Sequence, residues 1–275
     1  IGSWVSYGLG ALNRNLPAYV VMTSRATAGG AQPLYSRLWS SGFLPTEHSG
    51  VKLRNTKEPV YFLENPPGID HATRRNMLDN VAALNRQQHA QIGDPEIQSR
   101  IAQYEMAFRM QTSVPELADI SNEPDHVLKL YGPDVKKPGS YARNCLLARR
   151  LVESGTRLVS VFWDEFAQSC GTWDTHEKQT PRLRDELSPG FDQAFTALFE
   201  DLDDRGMLDE TLVLCLTEHG RTPKAERRGN SADGRGHWSN AYSCLFAGAG
   251  VRRGNVIGKT DRDAAYVAAD PVSPN

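Results

Sequence analysis

Four short runs of consecutive apolar residues lie along the chain, at residues 18–22, 158–163, 212–216 and 242–247. Each has the length of a β-strand and is apolar at nearly every position, rather than alternating apolar with polar positions. Continuous runs are typical of strands buried on both faces, as in a mostly parallel sheet covered by helices. The pattern predicts that the four runs are neighbours in one such sheet.

Helical periodicity alternates with these runs. Asp94 is the predicted N-cap of a helix that begins at Pro95, and apolar residues recur from Ile97 to Phe108 at spacings of three and four, which predicts a core-facing stripe. The spacing of apolar residues predicts further helices at residues 77–84, directly before Gly155, and at residues 191–202. The alternation predicts an α/β fold with three layers, a mostly parallel sheet between two layers of helices.

The domain organisation follows from the same pattern. We interpret residues 1–275 as a single domain with a mainly helical excursion at about residues 64–138. No internal repeat is visible.

Composition and charge narrow the class of function. The chain has a net charge of −2 and a pI of about 6.4, with its basic residues spread along the whole length. This distribution predicts no nucleic-acid partner. No run reaches the roughly 18 apolar residues that span a bilayer, so no membrane span is predicted. Chemistry on small molecules is therefore the favoured class of function. The sequence does not indicate the cellular compartment, because the chain begins at Ile1 rather than Met.

Three of the four cysteines lie in apolar helix or strand patterns, where cysteine is usually a small buried hydrophobic residue. Cys145, Cys170, Cys215 and Cys244 lie far apart and form no C-x-x-C pair.

Polar residues that could carry chemistry follow the apolar runs. Asp164 and Glu165 follow the second run, and Asp174 and His176 come soon after. Glu218, His219 and Arg221 follow the third run, and His237 lies in a glycine-rich segment before the fourth. Ligands bind beyond the carboxyl ends of strands in open parallel sheets. Carboxylates and imidazoles are the groups that zinc or a harder divalent ion takes.

Asp174 and His176 are two residues apart, so their side chains project to the same side of an extended segment. We expect Asp174, His176, Glu218 and His237 to converge at one edge of the sheet, with His219 and Arg221 near the rim.

Each of these residues also has an ordinary structural interpretation. Asp174 and His176 could be a loop pair that caps a helix, Arg221 could pair with Glu218, and His237 could bond a carbonyl group. Several groups of this kind after the strands of one sheet nevertheless favour a shared site.

Other enzyme motifs fail on inspection. The segment Gly258-Lys259-Thr260 lacks the first glycine of a phosphate-binding loop, since Arg253 stands there, and no helix pattern follows it. No G-x-S-x-G nucleophile elbow occurs. The context of Cys170 also differs from that of the cysteine that sulfatases modify.

Several short motifs in fixed order resemble a known family. They are GSWVSYGLG at residues 2–10, SGFLP at 41–45, YEMAFRMQ at 104–111, LARRLVE at 147–153, WDTH at 173–176 and TEHGRTP at 217–223. Together they resemble the bacterial "domain of unknown function 1501" family (DUF1501), and the resemblance covers nearly the whole chain. That family is related to the alkaline phosphatase and sulfatase superfamily, is abundant in planctomycete-type bacteria and is usually exported.

The resemblance implies an alkaline phosphatase-like fold with one or two divalent metals. The ion implied is zinc, with calcium or magnesium as alternatives. The residues implied as metal ligands are Asp174, His176, Glu218, His219 and His237, with Arg221 as an anion-binding candidate. The family pattern has Phe where this chain has His219 and Asp where it has Gly236. These departures act in opposite directions on a metal site, so the number of metals stays open.

The resemblance also implies that the chain is incomplete at both ends. Superfamily enzymes take a first metal-ligating Asp and the nucleophile from a strand and helix that would precede Ile1. We therefore expect this chain alone to be poorly soluble and inactive.

The function that follows is a metal-dependent hydrolase of phosphate or sulfate esters, acting on a small anionic ester or a sulfated or phosphorylated substrate. The alternative is an exported, non-catalytic binding or structural protein that retains the fold, with or without a metal site.

Overall fold

The computed structural model describes residues 1–24, 35–54, 59–60, 64–163 and 173–273. The described residues form two compact units, the first ending at residue 163 and the second beginning at residue 173. The predicted mixed α/β class is confirmed, and the single domain stays a prediction. Asp164, Glu165 and Cys170 lie outside the described residues.

The first unit contains a three-stranded parallel sheet. Its strands are β1 (Tyr19–Thr23), β2 (Val51–Leu53) and β3 (Leu158–Phe162), in the order β2-β1-β3. Val20 of the central strand lies opposite Val51 on one side and Val159 on the other. The apolar runs at 18–22 and 158–163 are therefore parallel neighbours, as predicted. Strand β2 was missed because three residues that include Lys52 carry no apolar run.

Helices make up the rest of the first unit. They are α1 (Gly2–Leu9), α2 (His71–Ile92), α3 (Pro95–Ala118), α4 (Asp125–Leu130) and α5 (Tyr141–Glu153), with 3-10 turns at Ser36–Leu38, Thr46–His48 and Pro133–Lys136. Residues 64–138, all of which are described, contain α2, α3, α4 and the last of these turns, and no strand.

Helices α2 and α3 form a hairpin with caps at its ends. The Asp70 carboxylate accepts from the Thr73 amide at 2.7 Å, and Gly93 ends α2 in the left-handed conformation that a glycine adopts without strain. Asp94 then caps α3 by accepting from the Glu96 amide, which confirms the predicted N-cap. The predicted core stripe is wrong, because Ile97 and Phe108 are only half-buried while Met110, Val114 and Leu117 are buried.

Helix α5 supplies much of the core of the first unit. Leu146 and Leu151 are fully buried, as is Val21 in β1. Cys145 is buried on the same helix, as predicted, and burial raises the pKa of its thiol to about 12. Gly155 follows α5 with a φ of 92°, at the predicted position.

The second unit begins with a continuous helical segment, followed by short strands. The elements are α6 (Gln179–Arg182), a π-helical turn (Leu183–Leu187), α7 (Ser188–Asp204), β4 (Val213–Cys215), β5 (Gly220–Arg221), β6 (Glu226–Arg228), β7 (Ser231–Gly234), β8 (His237–Trp238), β9 (Leu245–Ala247), β10 (Lys259–Thr260) and β11 (Val267–Ala269). The strands pair antiparallel as β4-β9, β5-β8, β6-β7 and β10-β11.

The third and fourth apolar runs correspond to β4 and β9, and they correct the predicted topology. Leu214 lies opposite Phe246 in an antiparallel pair, so the prediction of one mostly parallel sheet is wrong for these two runs. The side chains of Leu214, Leu245 and Phe246 are 42%, 54% and 55% exposed, so burial on both faces is not found either. An apolar run indicates a strand but carries no information on its direction, which explains the error.

The π-helical turn has an identifiable cause in the sequence. Pro189 follows it in the first turn of α7 and has no N–H to donate to the carbonyl four residues earlier, at Asp185. Its ring would also collide with that carbonyl in a regular α-helix, and a wider turn relieves the clash. Arg184 lies within the widened turn, so its position depends on Pro189.

Among the described helices, none has the length and apolar character that crossing a membrane requires. The segment Gly258-Lys259-Thr260 leads into the short strand β10 rather than into a helix, in agreement with the rejection of a phosphate-binding loop.

A buried ion-pair network stabilises the packing of α5. The Arg149 guanidinium donates to Glu123 and to Glu153 at 2.7 Å each, and Arg150 donates to the second oxygen of Glu123. The side chains of Arg149 and Glu123 are only 2% and 7% exposed. Loss of one partner of a buried pair leaves the other charge desolvated without compensation.

We predict that Glu123→Ala lowers the free energy of unfolding by about 3 kcal/mol, measured by urea denaturation. The matched control is Lys137→Ala, which breaks an exposed pair with Asp134 and should change the value by less than about 1 kcal/mol. Equal effects of the two substitutions would contradict the structural role of Glu123.

Candidate metal centre

Three side chains of the second unit bring potential metal ligands to one point. They are Asp174, His176 and His237, and one donor atom from each lies within 4.8 Å of the other two. The Oδ1 atom of Asp174 lies 3.0 Å from Nε2 of His176 and 2.9 Å from Nε2 of His237. The sequence predicts this convergence for four residues, and the structure brings together three of them.

A tight turn brings Asp174 and His176 together. The His176 amide donates to the Asp174 carbonyl at 3.0 Å, which closes a three-residue turn, and Thr175 between them is buried. The sequence analysis assumed an extended segment here. Both geometries place the two side chains near each other, but the turn also directs them at a common point.

The turn is held in place by β7. The Lys178 amide donates to Oγ of Ser231 at 3.1 Å, and the Thr180 amide donates to Oδ2 of Asp233 at 2.8 Å. A Cβ on Gly234 would lie 2.8 Å from the His176 carbonyl oxygen, so the close approach depends on a glycine. Polar residues of one hairpin thus position the loop that carries two of the donors.

The strand pair β5-β8 presents the third donor together with an arginine. Arg221 lies directly opposite His237 in the antiparallel register. Its Nη2 atom donates to Oδ1 of Asp174 and to the Trp173 carbonyl, each at 2.8 Å. Arg221 therefore contacts the cluster directly rather than lying at its rim. The alternative pairing of Arg221 with Glu218 is not found.

Glu218 and His219 lie beside the cluster without joining it. The Glu218 side chain is 80% exposed and its Oε1 atom lies 3.2 Å from Nε2 of His219. Nδ1 of His219 lies 3.0 Å from the Gly220 carbonyl, so oxygens engage both ring nitrogens. The His219 ring stacks on His237 with centroids 4.1 Å apart. His219 thus supports the orientation of a donor residue, whereas Glu218 faces solvent.

The charge states of the cluster suit a cation. Burial opposes ionisation of Asp174, but hydrogen bonds from His237 and Arg221 and the charges of His176 and Arg221 outweigh it, so the pKa of its carboxyl is lowered. Burial lowers the pKa of His176, against the opposing effect of Asp174 and with the help of nearby positive charges. At neutral pH this gives a carboxylate and a neutral imidazole, the two forms that bind metals.

Two buried nitrogens at the cluster have no hydrogen-bond partner among the described residues. They are Nδ1 of His176 and Nη1 of Arg221. A buried polar atom without a partner costs about 1–3 kcal/mol, so such atoms are usually completed by something bound.

Two further arginines near the cluster were missed by the sequence analysis. The charge of Arg228 contributes to the lowered pKa of His176, and a Cβ on Gly236 would lie 2.7 Å from Nη2 of Arg228. Arg235 donates to the Thr222 and Pro223 carbonyls at 2.8 and 2.7 Å. Arg235 lies two residues before His237 in the same glycine-rich segment, but nothing in that segment's sequence indicates that Arg235 lies at the site.

Fold and site together define a mixed α/β protein with a candidate metal centre made of one carboxylate and two imidazoles. The family model described as "Protein of unknown function (DUF1501)" matches residues 1–275, so the chain belongs to the DUF1501 family. No curated protein and no solved structure matches the chain.

We predict that Asp174→Asn lowers the pKa of His176 further below its ordinary value. The Asp174 carboxylate favours the imidazolium form, while burial and the charges of Arg221, His237 and Arg228 oppose it, so removal of the carboxylate leaves only the opposing effects. A titration of the histidine ring protons by NMR, in metal-free protein, measures the change. The control Asp263→Asn removes an exposed carboxylate of the same unit and should leave the pKa of His176 unchanged. A rise after Asp174→Asn would contradict the arrangement.

Proposed function

We propose that the second unit binds one divalent cation at Asp174, His176 and His237, and that the protein is a metal-dependent hydrolase of phosphate or sulfate esters. The observation that carries the proposal is the convergence of three potential ligand atoms within 4.8 Å. Zinc is the ion that best suits two nitrogen donors and one oxygen donor, and calcium or magnesium would prefer more oxygens.

The spacing of the donors supports this assignment. Ligand atoms about 2.0–2.1 Å from a tetrahedral zinc ion lie about 3.3 Å from each other. The two oxygen-to-nitrogen distances at Asp174 are 3.0 and 2.9 Å, so modest outward shifts suffice for an ion to enter. The three side chains also leave a fourth position for a substrate or water, as catalytic zinc sites do.

Arg221 is the residue through which the protein itself would act on an anionic ester. One nitrogen of its planar guanidinium, Nη2, is engaged by Asp174 and Trp173, while Nη1 has no partner among the described residues. A guanidinium fork binds the oxygens of phosphate or sulfate, so Nη1 is available to orient the ester. Asp174 fixes the fork beside the cluster and balances its charge.

A bound divalent ion would supply Lewis-acid stabilisation of the negative charge that builds on the transferred group. The chain's own residues would hold the ester next to it. The exposed Glu218 and the engaged ring of His219 support a centre of one ion rather than two.

Placement in the alkaline phosphatase and sulfatase superfamily, with its three-layer fold and export from the cell, is part of this proposal. Its support is the resemblance of the sequence motifs, joined now by an Asp-His donor set beside an arginine. The substrate class would be a small anionic ester or a sulfated or phosphorylated compound.

A second candidate function is a non-catalytic binding or structural role. One observation favours it, because Oδ1 of Asp174 already accepts from Arg221 and contacts both histidines, which is a cluster of hydrogen bonds that is stable without a cation. Binding of a cation therefore has to displace contacts that the protein makes with itself.

Metal content tests the cation site on which the proposed hydrolase depends. We expect the purified chain, dialysed against zinc and then against buffer, to retain about one zinc ion, measured by inductively coupled plasma mass spectrometry. His176→Gln and His237→Gln should each weaken zinc binding at least tenfold, because each removes a direct ligand. The control His89→Gln changes a half-buried histidine of α2, in the first unit, and should bind like the unmodified protein. A zinc-free protein, or equal binding by all variants, would refute the metal site.

Turnover is then measured with aryl phosphate and aryl sulfate on the zinc-loaded protein. Zinc-dependent hydrolysis that His237→Gln abolishes supports the hydrolase. Zinc retention without turnover of either ester identifies the non-catalytic alternative.

A further inference from the structure

A cleft in the second unit lies beside the metal centre and is lined by three arginines. Its volume is about 440 Å³, and its polar lining consists of Gln179, Thr180, Arg184, Ser188, Arg221 and Arg235. No acidic residue is among the described residues that line it. Arg221 belongs both to this cleft and to the cluster around Asp174, so the two sites share one side chain.

We propose that this cleft binds an anionic group of sulfate or phosphate type, separate from the ester that reacts at the metal centre. The substrate would then be a polyanion, with one ester at Asp174, His176 and His237 and a second anionic group among the arginines. The assignment of a substrate rests on the proposed function, whereas the anion site itself does not.

The donors of the cleft have the character of an anion site. Arg235 is fixed by two backbone carbonyls, which position the guanidinium without neutralising its charge. Arg221 lines the same cleft and adds positive charge to it, while its Nη1 atom is left to the ester at the metal centre. Hydroxyl groups of Thr180 and Ser188 add neutral donors to the same lining.

The side chain of Gln179 provides an independent indication that the cleft binds an anion. Its side-chain oxygen is buried without a partner among the described residues. The oxygen and nitrogen of a glutamine amide are assigned from their surroundings, and rotation by 180° would turn an N–H group into the same position. An anion would satisfy that N–H, and the unpaired oxygen would no longer be buried.

Three carboxylates near the cleft each have a partner within the protein, and two of those partners are arginines that line the cleft. Asp174 pairs with Arg221, Asp185 pairs with Arg184, and Asp233 accepts from the Thr180 amide. The pair of Arg184 with Asp185 is exposed, with side chains 70% and 54% accessible, so it contributes little and Arg184 can turn to a bound anion. A cation at Asp174 would also offset the charge of that carboxylate and leave Arg221 as a net positive group.

The local backbone agrees with a binding role for Arg184. The residue lies in the π-helical turn Leu183–Leu187, and single π turns inside helices occur frequently at functional sites.

The direct test is binding of inorganic sulfate to the chain in EDTA, by isothermal titration calorimetry at constant ionic strength. We expect a dissociation constant on the order of 1 mM, which is typical of a small anion held by a few charged donors. Arg235→Gln should weaken binding about tenfold, as loss of a hydrogen bond to a charged group does. Arg184→Gln should weaken it a few-fold, because the side chain is exposed.

Two further variants control for misfolding and for a general effect of removing a positive charge. Asp185→Asn releases Arg184 from its partner, lies on the surface, and should strengthen sulfate binding a few-fold. Arg252→Gln removes the same charge from an exposed position outside the lining and should change nothing. No sulfate binding by the unmodified chain, or equal effects of Arg235→Gln and Arg252→Gln, would overturn the anion site.

The polyanion is tested on the zinc-loaded protein with a short alkanediol bis-sulfate and its mono-sulfate. We expect the bis-sulfate to bind more tightly, and Arg235→Gln to remove that advantage. Equal affinity for the two ligands would overturn the proposal that the substrate carries a second anionic group. Because the sulfate experiment contains EDTA, its outcome is independent of whether the protein holds zinc.

Discussion

The Oδ1 atom of Asp174 organises the candidate site. It accepts from Nη2 of Arg221 and lies within 3.0 Å of a nitrogen of each of two histidines. These partners come from the turn that follows Trp173 and from the strand pair β5-β8, so one oxygen connects a loop to a pair of strands. Three positive or polar groups can crowd around one oxygen only while the carboxyl is ionised. The geometry of the whole cluster therefore depends on the charge of one residue.

The parts of this cluster that are close in sequence could be predicted, and the parts that meet through strand pairing could not. Asp174 and His176 are close in sequence, and any compact local conformation brings them together. His237 and Arg221 are 16 positions apart in the numbering, and they meet because a short antiparallel pair places them opposite each other, a register that depends on the hairpin between them. The composition of the motifs indicated both residues as candidates, but not that they would be cross-strand neighbours.

Other features could not be predicted, for physical reasons that differ. Glu218 is adjacent in sequence to His219, yet its side chain is exposed at a bend between β4 and β5, and the apolar run before it does not encode that bend. Arg184 and Arg235 have no motif of their own, and only the three-dimensional arrangement places them in one cleft. The strands at 18–22 and 158–163 were predicted with their parallel pairing, whereas β4 and β9 pair antiparallel through contacts that an apolar run does not encode.

The π-helical turn before α7 has a consequence for how sequences of this family can vary. A π turn contains one more residue than the α-helical turn it replaces, and one residue corresponds to a rotation of about 100° around the helix axis. Deletion of a single residue between 183 and 188 would restore a regular helix and turn Arg184 to another face, while the apolar contacts of α7 after Pro189 stayed in place. Variation in length at this one point would therefore alter ligand selectivity without altering the core, and it provides a route by which related proteins could diverge in the compounds they accept.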